Sequence, residues 1–342
     1  MRDNDLMVSI GMTCYNQENY VAQAIESILM QKVNFKYELV IAEDCSTDRT
    51  REIVKKYANR YPNIIKLILQ ERNVGLKKQS LQLKKMLKGK YRSHIEGDDF
   101  WVDENRLQKQ IDFLELHKEY VGVGGKLFCI DENNKQCKFI YGDLSNVYSF
   151  KEDYDINEFQ KWLLPSHICS LTYRNIFADC DEKFLNKYES YDIPGDRKTA
   201  LLLLSIGNIK MLPDCFYARR MTLSSNTNFT HNMLKSTRHY NVIKWMCNLE
   251  NMAKDMFGID INFKYQKRQQ WIWALQDFKN NPNNTGLENI IKILSDSNEK
   301  FIYLKILNEK CINKLKNKYE TVGLKKTSQL SFDFLKKYFK SF

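Results

Sequence analysis

The sequence predicts an α/β protein with a mostly parallel central sheet, followed by a helical C-terminal region. From residue 8 to residue 129, short apolar runs alternate with stretches of helical periodicity. This order is expected of parallel strands joined by right-handed helical crossovers. The apolar runs are continuous, which is typical of strands buried on both faces of a sheet. From about residue 232 onward, the periodicity is helical and strand signals are absent.

The predicted elements follow one another with short connections. Val21, Ala24, Ile25, Ile28 and Leu29 have the spacing of one helix face, which predicts an amphipathic helix after the first strand. The predicted elements, in chain order, are a strand over residues 8–14, a helix over 19–29, a strand over 38–42, a helix over 51–57, a strand over 64–69, a helix over 77–87, a strand over 91–95, a helix over 103–117 and a strand over 120–129.

Polar turns after three of these strands are expected to meet at one edge of the sheet. The turns begin after Cys14, Ala42 and Ile95, and the last two are acidic. The carboxyl ends of parallel strands share an edge, and ligands of open α/β sheets bind there. The sequence therefore predicts a ligand cleft lined by residues that are distant from one another along the chain.

An acidic cluster follows the strand over residues 91–95. Glu96, Asp98 and Asp99 fall within four residues, and only Gly97 separates them. Carboxylates this close repel one another unless a cation binds them, and hard divalent cations prefer oxygen ligands. One hypothesis is a site for a divalent metal and a diphosphate. The alternative is a solvated acidic turn that caps the next helix.

Composition excludes several classes of protein. The 342 residues contain no apolar run long enough to cross a membrane, and residues 1–5 lack the pattern of a signal peptide. Nine cysteines without a CxxC pair argue against a disulfide framework and a structural zinc site, which favours a cytoplasmic location. Neither a P-loop nor a GxGxxG motif is present, so Walker ATPases and Rossmann dehydrogenases are unsupported.

The positive charge is concentrated in the last third of the chain. Residues 231–342 hold 20 lysines and arginines against 10 acidic residues, while the whole chain has a formal net charge of +11. A domain over residues 1–230 and a basic, mainly helical region over residues 231–342 are expected. Residues 332–342 place aromatic and apolar side chains on one helical face and lysines towards the other. This pattern suits a helix in peripheral contact with the inner face of the cell membrane, a helix that binds a partner protein, or ordinary packing on the same domain. Nucleic-acid binding is not expected.

Three motifs in order resemble the family 2 glycosyltransferases. They are residues 8–16, which end in Tyr-Asn, residues 43–48 (EDCSTD) and residues 96–101 (EGDDFW). The resemblance covers roughly residues 8–224 and implies the GT-A fold, which binds nucleotide sugars. Glutamate at position 96 departs from the family's aspartate, which adds a methylene and keeps the charge.

The resemblance implies roles for residues in these motifs. Asp98 resembles the family's metal ligand for Mn²⁺ or Mg²⁺, and Asp99 is expected to support the same part of the site. Asp44 resembles the carboxylate that binds the nucleotide base, and Glu43 is its neighbour. The positions that resemble nucleotide-binding residues are Thr13, Tyr15, Asp44, Glu96 and Asp98.

A catalytic base is expected further along the chain. Inverting sugar transfer requires a carboxylate that takes the proton from the acceptor hydroxyl. Asp196, at a predicted helix start, resembles the family's base, with Asp192 as its rival and simple helix capping as the alternative.

Three further positions are weaker candidates. Arg219 and Arg220 follow a predicted strand, and an arginine there can bind a diphosphate. Methionine replaces the histidine that the family often has after this point, so a metal would rely on carboxylate, diphosphate and water, or on another side chain such as His231. His167 is a candidate for the acceptor side.

Together these features predict a metal-dependent, inverting glycosyltransferase of the hexosyltransferase type. The donor would be a nucleoside diphosphate sugar, with a UDP-sugar favoured. The acceptor would be a hydroxyl of a glycan or lipid-linked glycan in bacterial surface polysaccharide synthesis. The alternatives are a sugar nucleotidyltransferase and a non-catalytic nucleotide-binding module of the same fold.

Overall fold

The structure is a computed structural model that describes residues 6–139, 143–221 and 238–280, together with Asn289, Ile290 and Ile293. The strands are β1 (Leu6–Cys14), β2 (Lys36–Glu43), β3 (Ile65–Leu69), β4 (Tyr91–Glu96), β5 (Phe100–Trp101), β6 (Tyr120–Ile130), β7 (Gln136–Cys137), β8 (Asp153–Tyr154), β9 (Thr172–Arg174) and β10 (Asn208–Arg220). The helices are α1 (Val21–Leu29), α2 (Thr50–Arg60), α3 (Leu76–Met86), α4 (Arg106–Leu116), α5 (Ile156–Phe159), α6 (Glu182–Ser190), α7 (Gly195–Leu204), α8 (Arg238–Met252) and α9 (Lys264–Asn280).

All described strands belong to one sheet with the order β3-β2-β1-β4-β9-β6-β10-β5, with β7 beside β6 and β8 beside β10. The half formed by β3, β2, β1 and β4 is parallel throughout, and β6 and β10 are also parallel. Strand β9 runs antiparallel between these two parallel groups. The predicted α/β class with a mostly parallel sheet is confirmed.

The apolar runs and the predicted helix stripe form the core. Val21, Ala24, Ile25 and Ile28 of α1 are fully buried, so the face predicted from their spacing is the packed face. On another helix, Leu83 packs with residues of β2 in a buried apolar cluster. Burying one such aliphatic side chain contributes roughly 1.5–3 kcal/mol, so these faces fix the helices against the sheet.

The segment after the acidic cluster differs from the prediction. A helix was expected from residue 103, but α4 begins at Arg106, and the short strand β5 pairs with β10 before it. Trp101 is almost fully buried, and its indole Nε1 donates to the carbonyl of Cys169 at 3.1 Å. The Asp103 carboxylate accepts the backbone N–H of Asn105 at 2.8 Å, which makes residue 103 part of the turn before the helix.

The chain divides into two compact units. One comprises Met1–Thr222 and Asn251–Ile261, and the other comprises Leu223–Glu250 and Asn262–Phe342. In the second unit, His239 contacts Gln270 and Asp277, and Glu250 binds Lys267 at 3.0 Å. The predicted boundary after residue 230 and the amphipathic stretch 332–342 lie outside the described residues and stay predictions. No described helix is long and apolar enough to cross a membrane.

Candidate active site

The ends of β1, β2 and β4 lie side by side at one edge of the sheet. Cys14 stands opposite Glu43 in the β1–β2 pair, and Thr13 stands opposite Glu96 in the β1–β4 pair. The carbonyls of Cys14 and Thr13 then accept the N–H groups of Asp44 at 3.1 Å and Gly97 at 3.0 Å. The predicted convergence of the three polar turns is therefore confirmed.

The turns after β1 and β2 are joined by side-chain bonds. Asn16 has a left-handed backbone with φ 51°, which asparagine tolerates better than most residues. Its N–H donates to Ser46 Oγ at 3.0 Å, and its Oδ1 accepts the N–H of Thr47 at 2.9 Å. The N–H of Gln17 donates to Thr50 Oγ1 at 2.7 Å. These bonds hold the two turns as one surface beside Tyr15, which is partly exposed.

The two acidic residues after β2 both accept hydrogen bonds from the protein. Glu43 is fully buried, accepts the N–H of Ser46 at 2.6 Å and forms an ion pair with Arg51. Asp44 accepts the N–H groups of Val74 at 2.7 Å and Gly75 at 2.8 Å. The Asp44 carboxylate thus holds the turn after β3 against this edge, a contact that the sequence did not reveal. Contact between Asp44 and a nucleoside stays a prediction.

Glu96, Asp98 and Asp99 form the one group of carboxylates within the described part of the chain that has the spacing of a metal site. One carboxylate oxygen from each lies within 4.8 Å of the other two. Burial and the charge of Asp98 raise the pKa of Glu96 to about 7, and burial raises the pKa of Asp98. Three crowded oxygen donors, each with a destabilised charge, fit a hard divalent cation, which would supply the missing positive charge.

Asp99 differs from the other two carboxylates because the protein binds it. Its Oδ1 accepts the N–H of Arg220 at 2.7 Å, and its Oδ2 accepts the hydroxyl of Tyr217. Asp99 is only 2% exposed, whereas Glu96 and Asp98 are partly exposed. The protein therefore holds Asp99 in place, whereas Glu96 and Asp98 are open to a ligand.

Glycine is required between Glu96 and Asp98 for a steric reason. A Cβ at Gly97 would stand 2.5 Å from Oε1 of Gln17 and 2.9 Å from Cβ of Cys14. The turn after β4 thus packs directly on the turn after β1, and this close approach places the acidic cluster beside the Tyr-Asn motif.

Arg219 and Tyr148 border the cluster. Arg219 Nη1 donates to the hydroxyl of Tyr148 at 3.0 Å. Burial opposes the charge of Arg219, but Tyr148, Tyr217 and the carboxylates of Asp99 and Glu96 raise its pKa above the ordinary value. A permanent positive charge therefore stands beside the carboxylates.

Arg220, in contrast, is enclosed by protein acceptors. Its Nε donates to the carbonyl of Asp98 at 2.8 Å, and its Nη1 donates to the carbonyl of Asp131 at 2.9 Å. Its Nη2 donates to the side chains of Gln23 and Asn134, both at 2.8 Å. Of the two arginine candidates, Arg219 has the better position for binding a diphosphate.

Asp196 lies near the acidic cluster, at the start of α7. Its charge contributes to raising the pKa of Glu96, and burial together with Asp196 raises the pKa of Tyr148 to about 12. Its Oδ1 accepts the N–H of Arg197 at 2.7 Å, and the carboxylate is partly exposed. Asp192 is exposed on the preceding turn. The structure therefore places Asp196, the first candidate for the base, near enough to Glu96 for the charges of the two carboxylates to interact.

The side chain of His167 is buried and packs against an aromatic ring. Its ring stacks on Tyr217 with centroids 5.0 Å apart, and burial lowers its pKa well below the ordinary value.

Two tyrosines, Tyr148 and Tyr217, contact charged residues of the site, and the sequence did not indicate either of them. Tyr217 lies 118 positions from Asp99, so no local pattern indicates that pairing.

Comparisons with known proteins agree with this geometry. Residues 9–180 match the family model described as glycosyl transferase family 2. An uncharacterised protein of Mycobacterium tuberculosis is 38% identical over 112 residues, which are 33% of this chain and 32% of that protein. The putative glycosyltransferase EpsE of Bacillus subtilis is 39% identical over 125 residues, 36% of this chain and 44% of EpsE. These matches span less than half the length of either relative.

The fold also matches solved structures. The structure of S. aureus TarS 1–349 in complex with UDP-GlcNAc superposes with a TM-score of 0.58 at 17% sequence identity. The match covers 89% of this chain and 82% of that one. At this identity the likeness extends to the fold alone.

Proposed function

The chain belongs to glycosyl transferase family 2, and from this premise we propose that it is a metal-dependent, inverting enzyme that uses a UDP-sugar. The acceptor would be a hydroxyl of a glycan or lipid-linked glycan. The observation that carries the proposal is the cluster of Glu96, Asp98 and Asp99 at the carboxyl edge of the sheet, with Asp196 close to it.

Each side chain would have a distinct task. Asp98 and Glu96 would hold Mn²⁺ or Mg²⁺, while Asp99, fixed by Tyr217 and the backbone of Arg220, would orient the turn. The metal, when bound, acts as a Lewis acid that neutralises the diphosphate leaving group. Thr13, Tyr15 and Asp44 would border the nucleoside.

Asp196 would take the proton from the acceptor hydroxyl. The start of a helix favours an ionised carboxylate, because the helix dipole is positive there. A Cβ on Gly195 would meet no atom within 4 Å apart from its chain neighbours and the backbone of its own helix, so there is room for a side chain at the position before Asp196. Attack on the anomeric carbon from the side opposite the diphosphate would invert its configuration.

The names of relatives guide the choice of donor and acceptor. TarS was solved with UDP-GlcNAc, which makes UDP-sugars the first donors to test. TuaG of B. subtilis, named as a putative teichuronic acid biosynthesis glycosyltransferase, is 27% identical over 142 residues, 42% of this chain and 55% of TuaG. These names favour a role in the synthesis of a bacterial surface polysaccharide.

A donor screen tests the proposal. Purified protein is incubated with nucleotide sugars and Mn²⁺ or Mg²⁺, and released nucleoside diphosphate is measured with and without EDTA. We expect UDP release from one UDP-sugar that requires the metal and disappears in Asp98→Asn. Release of pyrophosphate instead would indicate a nucleotidyltransferase, and UDP binding without turnover on any acceptor would indicate a binding module.

Membrane contact is a separate part of the proposal. We propose that residues 331–342 bind anionic lipid, because their lysines and apolar residues have amphipathic spacing. Deleting these residues should release the protein from anionic liposomes and spare its activity on a soluble acceptor. Full-length protein that does not bind such liposomes at low salt would contradict this part.

A further inference from the structure

Three consecutive polar residues are buried directly after Asp196. Arg197, Lys198 and Thr199 are 8%, 4% and 7% exposed. The Arg197 guanidinium stacks 3.7 Å from the ring centroid of Trp162. The residue before the helix is Pro194, which has no side-chain acceptor to cap the first turn. Contacts of these three buried residues with other elements therefore hold the turn that carries Asp196.

Lys198 belongs to a buried ion cluster that joins three helices. Its Nζ lies 2.8 Å from Oε2 of Glu189 on α6, and the other oxygen of Glu189 lies 2.9 Å from Nζ of Lys84 on α3. The three side chains are only 5–9% exposed. Two lysines thus share one carboxylate in the interior of the protein.

Such a cluster is a poor source of stability. Removing charges from water costs several kcal/mol per ion, and apolar replacements of buried ion clusters are often neutral or stabilising. The excess positive charge adds to this cost, and burial lowers the pKa of Lys84 to about 8. The ion pair between Lys198 and Glu189 instead sets the distance between α6 and the first turn of α7.

We propose that Lys198 is a positioning residue, whose ion pair with Glu189 holds the Asp196 carboxylate in the orientation needed to accept the acceptor's proton. The inference rests on the proposed role of Asp196. Proton transfer requires heavy atoms about 2.6–3.2 Å apart. Asp196 precedes Lys198 by two residues in the same helical turn, so a displacement of this turn displaces the carboxylate.

A matched pair of variants tests the inference. Lys198→Met and Lys84→Met each remove one buried lysine and leave Glu189 paired with the other, so their effects on charge are alike. Only Lys198→Met breaks the ion pair between α6 and α7. We expect Lys198→Met to lower kcat by about 10- to 100-fold, the scale of a displacement near 1 Å. Its KM for the donor should stay within about twofold, and any fall in its Tm should match that of Lys84→Met, because each variant breaks one of the two ion pairs of Glu189. Lys84→Met should keep kcat.

A double variant separates positioning from a general structural effect. In Asp196→Asn, which has lost the base, adding Lys198→Met should produce no further loss of kcat, since the lysine acts through Asp196. A further loss in the double variant would overturn the inference, as would equal kcat values for Lys198→Met and wild type. If Lys198→Met does not fold, Lys198→Leu takes its place with the same expectations, because it also removes the ammonium group that binds Glu189.

The outcomes also distinguish this inference from the proposed function. An active Asp196→Asn would remove Asp196 as the base and the inference with it. An inactive Asp196→Asn beside a fully active Lys198→Met would overturn the positioning role alone.

Discussion

Replacing Asp98 by asparagine should stabilise the metal-free protein while abolishing its response to metal. The carboxylates of Glu96, Asp98 and Asp99 have oxygens within 4.8 Å of one another. At an effective dielectric constant of about 20, two unit charges at that distance repel by about 3 kcal/mol. The rise of the pKa of Glu96 from 4.5 to about 7 corresponds to a similar energy, at about 1.36 kcal/mol per unit.

Only part of the energy that raises the pKa of Glu96 comes from the charge of Asp98. Burial is the first cause of the raised pKa of Glu96, and the charge of Asp98 is the second. Because both side chains are partly exposed, we expect Asp98→Asn to raise the free energy of unfolding by about 1 kcal/mol at pH 7.5.

This gain in the free energy of unfolding should increase as the pH rises. A carboxyl whose pKa is raised in the folded state binds more protons there, so the wild type loses stability as pH rises from about 4.5 to 7. The advantage of Asp98→Asn should therefore be largest above pH 7 and vanish near pH 4.5.

Urea denaturation followed by circular dichroism measures this difference in EDTA and in Mn²⁺. We expect the wild type to gain stability with Mn²⁺ and Asp98→Asn to gain none. Asp192→Asn serves as the control, because its carboxylate is exposed and lies outside the cluster. If Asp98→Asn is less stable than wild type in EDTA, the cluster is not under repulsion. If Mn²⁺ still stabilises it, the metal binds elsewhere.

Three further predictions follow from the same geometry. Asp196→Asn should lower the transfer rate by about 10²–10⁴-fold with unchanged UDP affinity, and Asp192→Asn should do much less; steady-state kinetics with the reverse ranking would assign the base to Asp192. Gly97→Ala should lower the free energy of unfolding by about 1–3 kcal/mol, because the new Cβ would stand 2.9 Å from Cβ of Cys14; a chemical denaturation curve equal to wild type would show that the turn can shift. Gly195→Ala should raise stability by about 0.4–1 kcal/mol, since its Cβ would meet no atom within 4 Å beyond its chain neighbours and its own helix backbone; a lower Tm would contradict the open space at this position.

The parallel half of the sheet was predictable because local apolar runs specify it. Strands β1 and β2 are buried on both faces over most of their length, so their sequences read as largely apolar stretches without reference to any partner, whereas β3 at the edge of the sheet is partly exposed. Strands β5 and β9 have only two and three residues, too short for a periodic signal. Their pairing with β10, β4 and β6 depends on contacts that are distant along the chain.

The residue types of the candidate site were predictable from the sequence, but the contacts that each side chain makes were not. Crowding of Glu96, Asp98 and Asp99 is visible in the sequence, whereas the anchoring of Asp99 by Tyr217 requires the fold. The acidic residue Asp44 was predicted as a ligand contact, yet its carboxylate also binds two backbone N–H groups of the turn after β3. A side chain's residue type shows what it can bind, and only the fold shows what lies within its reach.

The central claim is that a divalent metal and a uridine diphosphate bind at the carboxyl edge formed by β1, β2 and β4. Anomalous scattering from crystals grown with Mn²⁺ and UDP tests this claim most directly. We predict one strong manganese peak in contact with the Asp98 carboxylate and the diphosphate, and no such peak in crystals of Asp98→Asn. Bound UDP with manganese at another position, or manganese retained in Asp98→Asn, would contradict the claim.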